Sequence, residues 1–284
     1  MSPDDPFQTH ARAGAPLRSH LKAVHADAAG FTEDCASACR NRAGLNSYDW
    51  LAAAAEPPAG GAVLDLACGS GVLLELCRSA YGPDITLTGV DMSPAELALA
   101  AQRLNGKAVA LHEGLAQSLG FAASGQFDAV LCHWALTLMD PLQPVLAEVR
   151  RVLRPGGVFA AIVDGPVQTG AGYGEICDLI AGHVRAAAPD YAELGDPRAR
   201  DGDALAELAR SVFPGAGIAV ESDVFALEAA PGPLARSVAG FFYSSFMLAG
   251  PAHTAMLDDL TGFFARLETP RYEMPVNRLR IAVP

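Results

Sequence analysis

The sequence predicts an α/β protein built on a doubly wound, mainly parallel sheet. Five strand-like apolar runs alternate with helix-like segments between residues 62 and 164. Several of these strands end at an acidic residue that is followed by a turn, as in Asp91 and Asp164. A repeated alternation of strand and helix requires parallel strands joined by right-handed crossovers. A chain of 284 residues is also long enough to bury the core that such a sheet needs.

Residues 1–60 precede the first strand and are rich in alanine. Their pattern predicts helices over about residues 17–28 and 32–54. Cys35 and Cys39 are four residues apart, so a helix would place both thiols on one face. Two thiols could begin a metal site, but no further Cys or His pair has ligand spacing, which favours packing over metal binding.

Residues 63–77 form the stretch around which the chain is organised, and they predict a strand, a tight turn and a helix. Gly69 and Gly71 lie in the turn. Glycine lets the backbone approach a ligand closely, and free N–H groups at the start of a helix favour an anionic group. A dinucleotide-binding turn would carry a third small residue where this chain has Leu74, which argues against that class of ligand.

The second strand, residues 85–92, ends at Asp91, which lies 20 residues beyond Gly71. This interval places a carboxylate at the tip of the neighbouring strand, where it can accept hydrogen bonds from both ribose hydroxyls of a nucleoside. The alternative is an ordinary acidic residue of a strand-end turn. Ser93, Pro94 and Glu96 then have the spacing of a helix start with a capping box.

The segment from Asp65 to Gly71 resembles the D-x-x-C-G-x-G turn of the class I S-adenosylmethionine (SAM) methyltransferases. The chain is similar to the quinone C-methyltransferases and the carrier-protein malonyl O-methyltransferases over roughly residues 48–164. The resemblance implies a Rossmann-like seven-stranded sheet with an antiparallel C-terminal strand. It further implies a helical lid formed by residues 1–60 and a SAM-binding domain over residues 61–284. The resemblance also implies a helical cap that is inserted in that domain at about residues 228–268.

The resemblance also assigns SAM as the cofactor and names residues that would bind it. These are Asp65, Ala67, Gly69, Ser70, Gly71, Asp91, Met92, Ala116, Gln117 and Cys132. The family usually carries Asp where this sequence has Leu115, so the contact with adenine departs from the family pattern. Ala116 and Gln117 are either neighbours of adenine or part of a solvated loop. Arg42, Tyr48 and Trp50 are candidates either to line the lid or simply to pack.

The fourth strand, residues 127–132, leads into His133, where relatives often carry Asn. A histidine here could be a general base, a hydrogen-bond donor that orients the substrate, or a structural residue.

The rest of the chain continues the alternation of helix and strand. After a helix that Pro155, Gly156 and Gly157 are expected to end, the fifth strand covers residues 158–163, and a final strand covers residues 272–283. Between these strands the pattern predicts helices over residues 173–187 and up to about 212, a strand over 218–227, and apolar helices over 232–266. An apolar group in this last segment could wall a pocket or belong to the core. It consists of Phe241, Phe242, Tyr243, Phe246 and Met247.

Composition excludes several classes of function. A net charge of −12 and a pI near 4.9 disfavour binding to the phosphates of nucleic acids. The six cysteines show no paired framework, and residues 1–6 show no signal-peptide pattern, so we expect a cytoplasmic protein. Residues 237–257 lack charge, but Pro251 argues against a membrane span. A homodimer is compatible with the sequence.

The sequence therefore predicts a methyltransferase that moves a methyl group from SAM to O, N or C of a small, partly apolar molecule. One alternative is a SAM-binding protein on the same fold that catalyses a cyclisation or a decarboxylation. A second is a nicotinamide-dependent oxidoreductase, and a third is a non-catalytic partner of another methyltransferase.

Overall fold

A computed structural model describes residues 17–191 and 195–284, with side chains from residue 21 onward. The first sixteen residues of the predicted lid, including the segment without a signal-peptide pattern, lie outside the described residues. Residues 192–194 of the predicted loop over 188–203 lie outside them as well.

The described chain forms a seven-stranded sheet in the order β3-β2-β1-β4-β5-β7-β6. The strands are β1 (Ala62–Leu66), β2 (Thr86–Asp91), β3 (Val109–Glu113), β4 (Phe127–His133), β5 (Leu153–Asp164), β6 (Gly217–Glu228) and β7 (Arg271–Ala282). Strand β1 pairs in parallel with β2 and β4, β2 with β3, and β4 with β5, whereas β7 is antiparallel to β5. The predicted fold class is confirmed.

The helices begin and end close to the predicted positions in most cases. They are α1 (Leu17–Asp27), α2 (Glu33–Ala38), α3 (Ser47–Ala52), α4 (Val72–Tyr81), α5 (Pro94–Arg103), α6 (Leu142–Val152), α7 (Tyr173–Ala187), α8 (Gly202–Val212), α9 (Pro231–Phe241) and α10 (Gly250–Ala265). None of the helices in the described residues is long and apolar enough to cross a membrane.

The register of the central strands brings their carboxyl ends to one edge. Asp65 of β1 lies opposite Gly89 of β2 and Leu131 of β4. Asp91 and His133 are each two residues further along their strands, so both lie at the edge where the turn after β1 begins. Ligands of open α/β sheets bind at this edge.

The prediction of one helix over residues 32–54 is wrong. Helices α2 and α3 are separate because Arg40 pairs with Ala226 of β6, with N–H···O distances of 2.8 and 2.7 Å. Asn41 then turns the chain, since its side-chain oxygen accepts hydrogen bonds from the N–H groups of Ala43 and Leu45, each at 3.0 Å.

The prediction that Pro155 and the two following glycines end a helix is also wrong. Helix α6 ends at Val152, and β5 already begins at Leu153. The register between β4 and β5 shifts near Phe127, and this irregularity takes up the extra residues of β5. Arg154 fixes the segment by an ion pair of 2.9 Å with Asp128 of β4.

The residues group into two compact units. Unit 1 contains the described residues up to Asn46 together with Val167–Glu193 and Val224–Pro275. Unit 2 contains Ser47–Pro166, Leu194–Asp223 and Val276–Pro284. The sheet edge with the glycine turn belongs to unit 2, so the site is described below within that unit.

Candidate functional site

The glycine turn joins β1 to α4 and has the backbone that the sequence predicts. Gly69 and Gly71 have φ angles of 49° and 82°, which side-chain-bearing residues rarely adopt. A Cβ atom on Gly71 would lie 3.0 Å from the Cβ atom of Ala100 on α5. Gly71 is therefore required both for its torsion and for the close approach of two helices.

Ala67 precedes the turn and has a φ of 59°, although it carries a side chain. A non-glycine residue in this region costs about 1–3 kcal/mol, and such strain clusters at ligand sites. The strain lies directly after the carboxyl end of β1, where the sequence places cofactor binding.

Asp65 is 2% exposed, and neither of its carboxylate oxygens accepts a hydrogen bond from the described residues. Burial, followed by the nearby charge of Asp91, raises the pKa of this carboxyl well above its ordinary value. A buried carboxyl without a donor is costly in a folded protein. Its position suits a ligand that brings a cationic or hydrogen-bond-donating group.

Asp91 is 8% exposed and holds the turn together. Its Oδ2 accepts a hydrogen bond of 2.9 Å from the N–H of Gly69, and its Oδ1 accepts one of 2.8 Å from the N–H of Ser93. Each carboxylate oxygen has further acceptor capacity. Asp91 can therefore close the turn and still accept a hydroxyl group, although its role toward ribose stays a prediction.

Glu96 is a third carboxyl at this turn, and sequence reasoning assigned it only to a capping box. It is 2% exposed, and its Oε2 lies 3.7 Å from the position of a Cβ atom on Gly69. Its N–H does donate to Ser93 Oγ at 3.4 Å, as in a capping box. Glu96 thus also places a buried carboxyl group beside the turn, a position that the capping pattern alone did not indicate.

The start of helix α4 is open to an anionic ligand. Its N-cap is Gly71, and no side chain caps it. The N–H groups of the first turn of a helix attract anions when no capping group occupies them. Ser70 accepts a hydrogen bond of 3.2 Å from Arg103 of α5, which brings a cation to the same turn.

The remaining predicted cofactor residues lie around this edge with different exposures. Met92 is half-buried in the bend after β2, and Ala116 and Gln117 are half-buried in the turn that follows β3. Cys132 is fully buried in the core, and burial raises the pKa of its thiol. Only the backbone of Cys132 is therefore placed to face a ligand.

His133 is held by two residues of α3. Its Nε2 lies 2.9 Å from Ser47 Oγ, and its ring stacks on Tyr48 with centroids 3.7 Å apart. Burial lowers the pKa of His133 to about 3, so the ring is neutral at ordinary pH and is a weak base. This favours a hydrogen-bonding role over that of a general base. Ser47 was missed because it lies 86 residues from His133 and belongs to no motif.

In unit 1, the structure places part of the predicted apolar group in the core and forms a separate cleft. Phe246 and Met247 are buried, and Phe246 contacts Phe31 with ring centroids 4.5 Å apart, so these two residues belong to the core of unit 1. A separate cleft of about 420 Å³ in unit 1 is lined by charged residues and by Phe263. Its charged residues are Glu175, Arg266, Glu268, Arg271 and Glu273.

The order of the strands, the strained glycine turn and the acids near the ends of β1 and β2 give this edge of the sheet the arrangement that the sequence predicts. Residues 64–161 match a family model described as a methyltransferase domain. This match contains the turn, Asp91 and His133.

Curated relatives match a stretch of similar length. An uncharacterized methyltransferase of Synechocystis sp. is 40% identical over 103 residues, which are 35% of this chain and 45% of that protein. The ubiquinone/menaquinone biosynthesis C-methyltransferase of Desulfotalea psychrophila is 39% identical over 108 residues, 38% of this chain and 43% of that protein. The chain thus matches less than half the length of these two relatives.

Phosphoethanolamine N-methyltransferase 2 of Haemonchus contortus, solved with SAM, has a similar structure. Its TM-score is 0.59 at 16% identity, and the match covers 95% of this chain and 60% of that one. At an identity of 16%, this structural similarity shows that the two proteins share a fold and nothing more. Together with the family match, these findings confirm the predicted resemblance: residues 64–161 match a methyltransferase domain, as the similarity to the class I, SAM-dependent methyltransferases implies.

Proposed function

We propose that this chain binds SAM at the β1–α4 turn and transfers its methyl group to O, N or C of a small, partly apolar molecule. The observation that carries the proposal is Asp65, a buried carboxyl that receives no hydrogen bond from the described residues. It lies beside a strained turn and a helix start that no side chain caps.

The residues at this edge fit the parts of SAM. The ammonium group of SAM suits the carboxyl of Asp65, and its carboxylate suits the open N–H groups of α4. Asp91 retains acceptor capacity for ribose hydroxyls. When bound, SAM supplies a methyl carbon that its sulfonium already activates. The task of the protein is then to hold the acceptor in line with that carbon and to exclude water.

We take the acceptor to be a phenol or quinol, because curated relatives include a quinone C-methyltransferase. The net charge of −12 supports a small molecule over a nucleic acid. A cytoplasmic location, a homodimer, the lid over residues 1–60 and the cap over about 228–268 stay predictions.

Calorimetric titration of the full chain with SAM, S-adenosylhomocysteine and NADH tests the cofactor. We expect micromolar binding of the first two and none of NADH. Labelled SAM should then transfer its methyl group to 1,4-naphthoquinol or catechol. Binding of neither nucleoside would refute the cofactor proposal. Tight binding with a product formed by cyclisation or decarboxylation, and no methylated product, would favour the alternative function on this fold.

A further inference from the structure

His133 lies next to the turn that would hold SAM. Strands β1 and β4 pair in parallel, with Asp65 opposite Leu131. His133 is the last residue of β4, and Ala67 directly follows the end of β1, so both lie at the carboxyl edge of these neighbouring strands. His133 is half-buried at this edge and not enclosed in the core.

The two ring nitrogens of His133 differ in their surroundings. Nε2 lies 2.9 Å from Ser47 Oγ. Nδ1 has no hydrogen-bond partner in the part of the chain that the structure describes, and it is not one of the buried polar atoms that lack a partner. Nδ1 is therefore the nitrogen left to meet a ligand.

Helix α3, which carries Ser47, is fixed by two arginines of β7. Arg278 donates a hydrogen bond of 2.6 Å to the carbonyl of Trp50, and its guanidinium lies 4.3 Å from the centre of the Trp50 ring. Arg280 donates one of 3.0 Å to the carbonyl of Ala54, just after the helix. Ser47 is therefore held in one position against His133.

The direction of the Ser47–His133 hydrogen bond follows from burial. Ser47 is fully buried. If Nε2–H donated to Ser47 Oγ, the serine hydroxyl proton would be buried without an acceptor, which is the costly kind of unsatisfied group. If the serine donates to Nε2, no buried donor is left over. The proton of the neutral ring then resides on Nδ1.

We propose that Ser47 is a positioning residue that fixes the tautomer of His133, so that His133 donates a hydrogen bond from Nδ1 to an oxygen atom of the acceptor. The part that concerns the acceptor rests on the function proposed above. The acceptor class is a compound with a carbonyl, phenolate or enolate oxygen beside the atom that is methylated. In this role His133 orients the acceptor and does not remove a proton from it.

The tautomer can be measured without any turnover. The full chain, labelled with ¹⁵N-histidine and saturated with S-adenosylhomocysteine, is compared with Ser47→Ala, and His133→Gln identifies the signals of His133. We expect a protonated Nδ1 and an unprotonated Nε2 in the wild type, and loss of this preference in Ser47→Ala. Ser245→Ala is the matched control, because Ser245 is also fully buried but its hydroxyl has no partner among the described residues.

The acceptor contact needs a ligand, and 1,4-naphthoquinol serves as the probe. We expect it to shift the Nδ1 signal in the wild type and in Ser245→Ala, and not in Ser47→Ala. Ser47→Ala should also lower kcat about tenfold, the loss of one hydrogen bond, with unchanged affinity for S-adenosylhomocysteine. Ser47→Cys, which is nearly isosteric and a weaker donor, replaces Ser47→Ala if the latter does not fold.

A protonated Nε2 in the wild type, or an unchanged tautomer in Ser47→Ala, would overturn the positioning role whether or not methyl transfer occurs. The expected tautomer without a shift of Nδ1 on addition of the quinol would overturn the acceptor contact. The expected tautomer and shift without any methylated product would instead count against the proposed function alone.

Discussion

The carboxyl of Asp65 is buried beside Asp91 and receives no hydrogen bond from the described residues. Its ionised form therefore destabilises the folded chain until a donor arrives. Because the folded state raises the pKa, folded Asp65 keeps its proton at pH values where unfolded Asp65 has released it. The free energy of unfolding consequently falls as the pH rises from the ordinary pKa of Asp to the raised one.

Asp65→Asn should separate stability from binding. At pH 7 we expect the ligand-free variant to be more stable than the wild type, with a free energy of unfolding that is higher by roughly 1–3 kcal/mol. This difference should shrink toward pH 4 and below. Affinity for SAM should drop roughly tenfold to a hundredfold, as for a lost charge-assisted hydrogen bond. Chemical unfolding across this pH range and calorimetry measure both. A variant that is less stable at pH 7, or that binds SAM as the wild type does, would contradict the role assigned to Asp65.

Asp91→Ala should weaken SAM binding by about 1–3 kcal/mol, because two ribose hydroxyls and two turn N–H groups lose their acceptor. Asp128→Asn is the control, since Asp128 is also a buried strand acid but serves Arg154 and the N–H of Ala62. Asp128→Asn should therefore lower the free energy of unfolding and leave the affinity for SAM unchanged. Equal affinities of the two variants in calorimetry would refute the nucleoside site.

At the scale of elements, β2 and α4 pack closely in a way that explains Leu74. A Cβ atom on Gly89 of β2 would lie 2.8 Å from both Leu74 Cδ1 and Cys68 Sγ. The small residue that lets helix and strand approach is thus on the strand, and the helix can carry a leucine at the position where a dinucleotide-binding turn has its third glycine.

Gly89→Ala should therefore cost about 1–3 kcal/mol of unfolding free energy through overpacking. Gly182→Ala in α7 is the opposite case, since a Cβ atom there meets nothing within 4 Å. That substitution should stabilise the chain by roughly 0.5–1 kcal/mol, the helix preference of Ala over Gly. Urea unfolding of both variants measures the difference, and equal midpoints would contradict the packing argument.

Local signals explain which elements could be predicted from the sequence. Helix α6 has its buried residues at helical spacing, and helix α5 has Ser93 and Pro94 at its start, so both were found. The break between α2 and α3 depends on the pairing of Arg40 with Ala226, which are far apart in the sequence. The contact of Ser47 with His133 is equally distant, and no spacing rule predicts such a contact.

At the scale of the whole molecule, the acidic surface predicts a partner class. With a net charge of −12, the chain should not be retained by duplex DNA or by a tRNA transcript, even at 50 mM salt, where binding to phosphates is strong. Electrophoretic mobility shifts test this expectation. A complex that weakens steeply with added salt would contradict it and would indicate a basic surface.

Units 1 and 2 are each assembled from three parts of the chain, and the longest part of unit 2 is the continuous run Ser47–Pro166. That continuous part contains every predicted cofactor residue and the whole family match. In a gene, one crossover at each side of Ser47–Pro166 would transfer all of these residues together, whereas the other parts of both units would have to be exchanged separately. Recombination could thus vary the segments outside this run without separating the residues that we propose to bind the methyl donor.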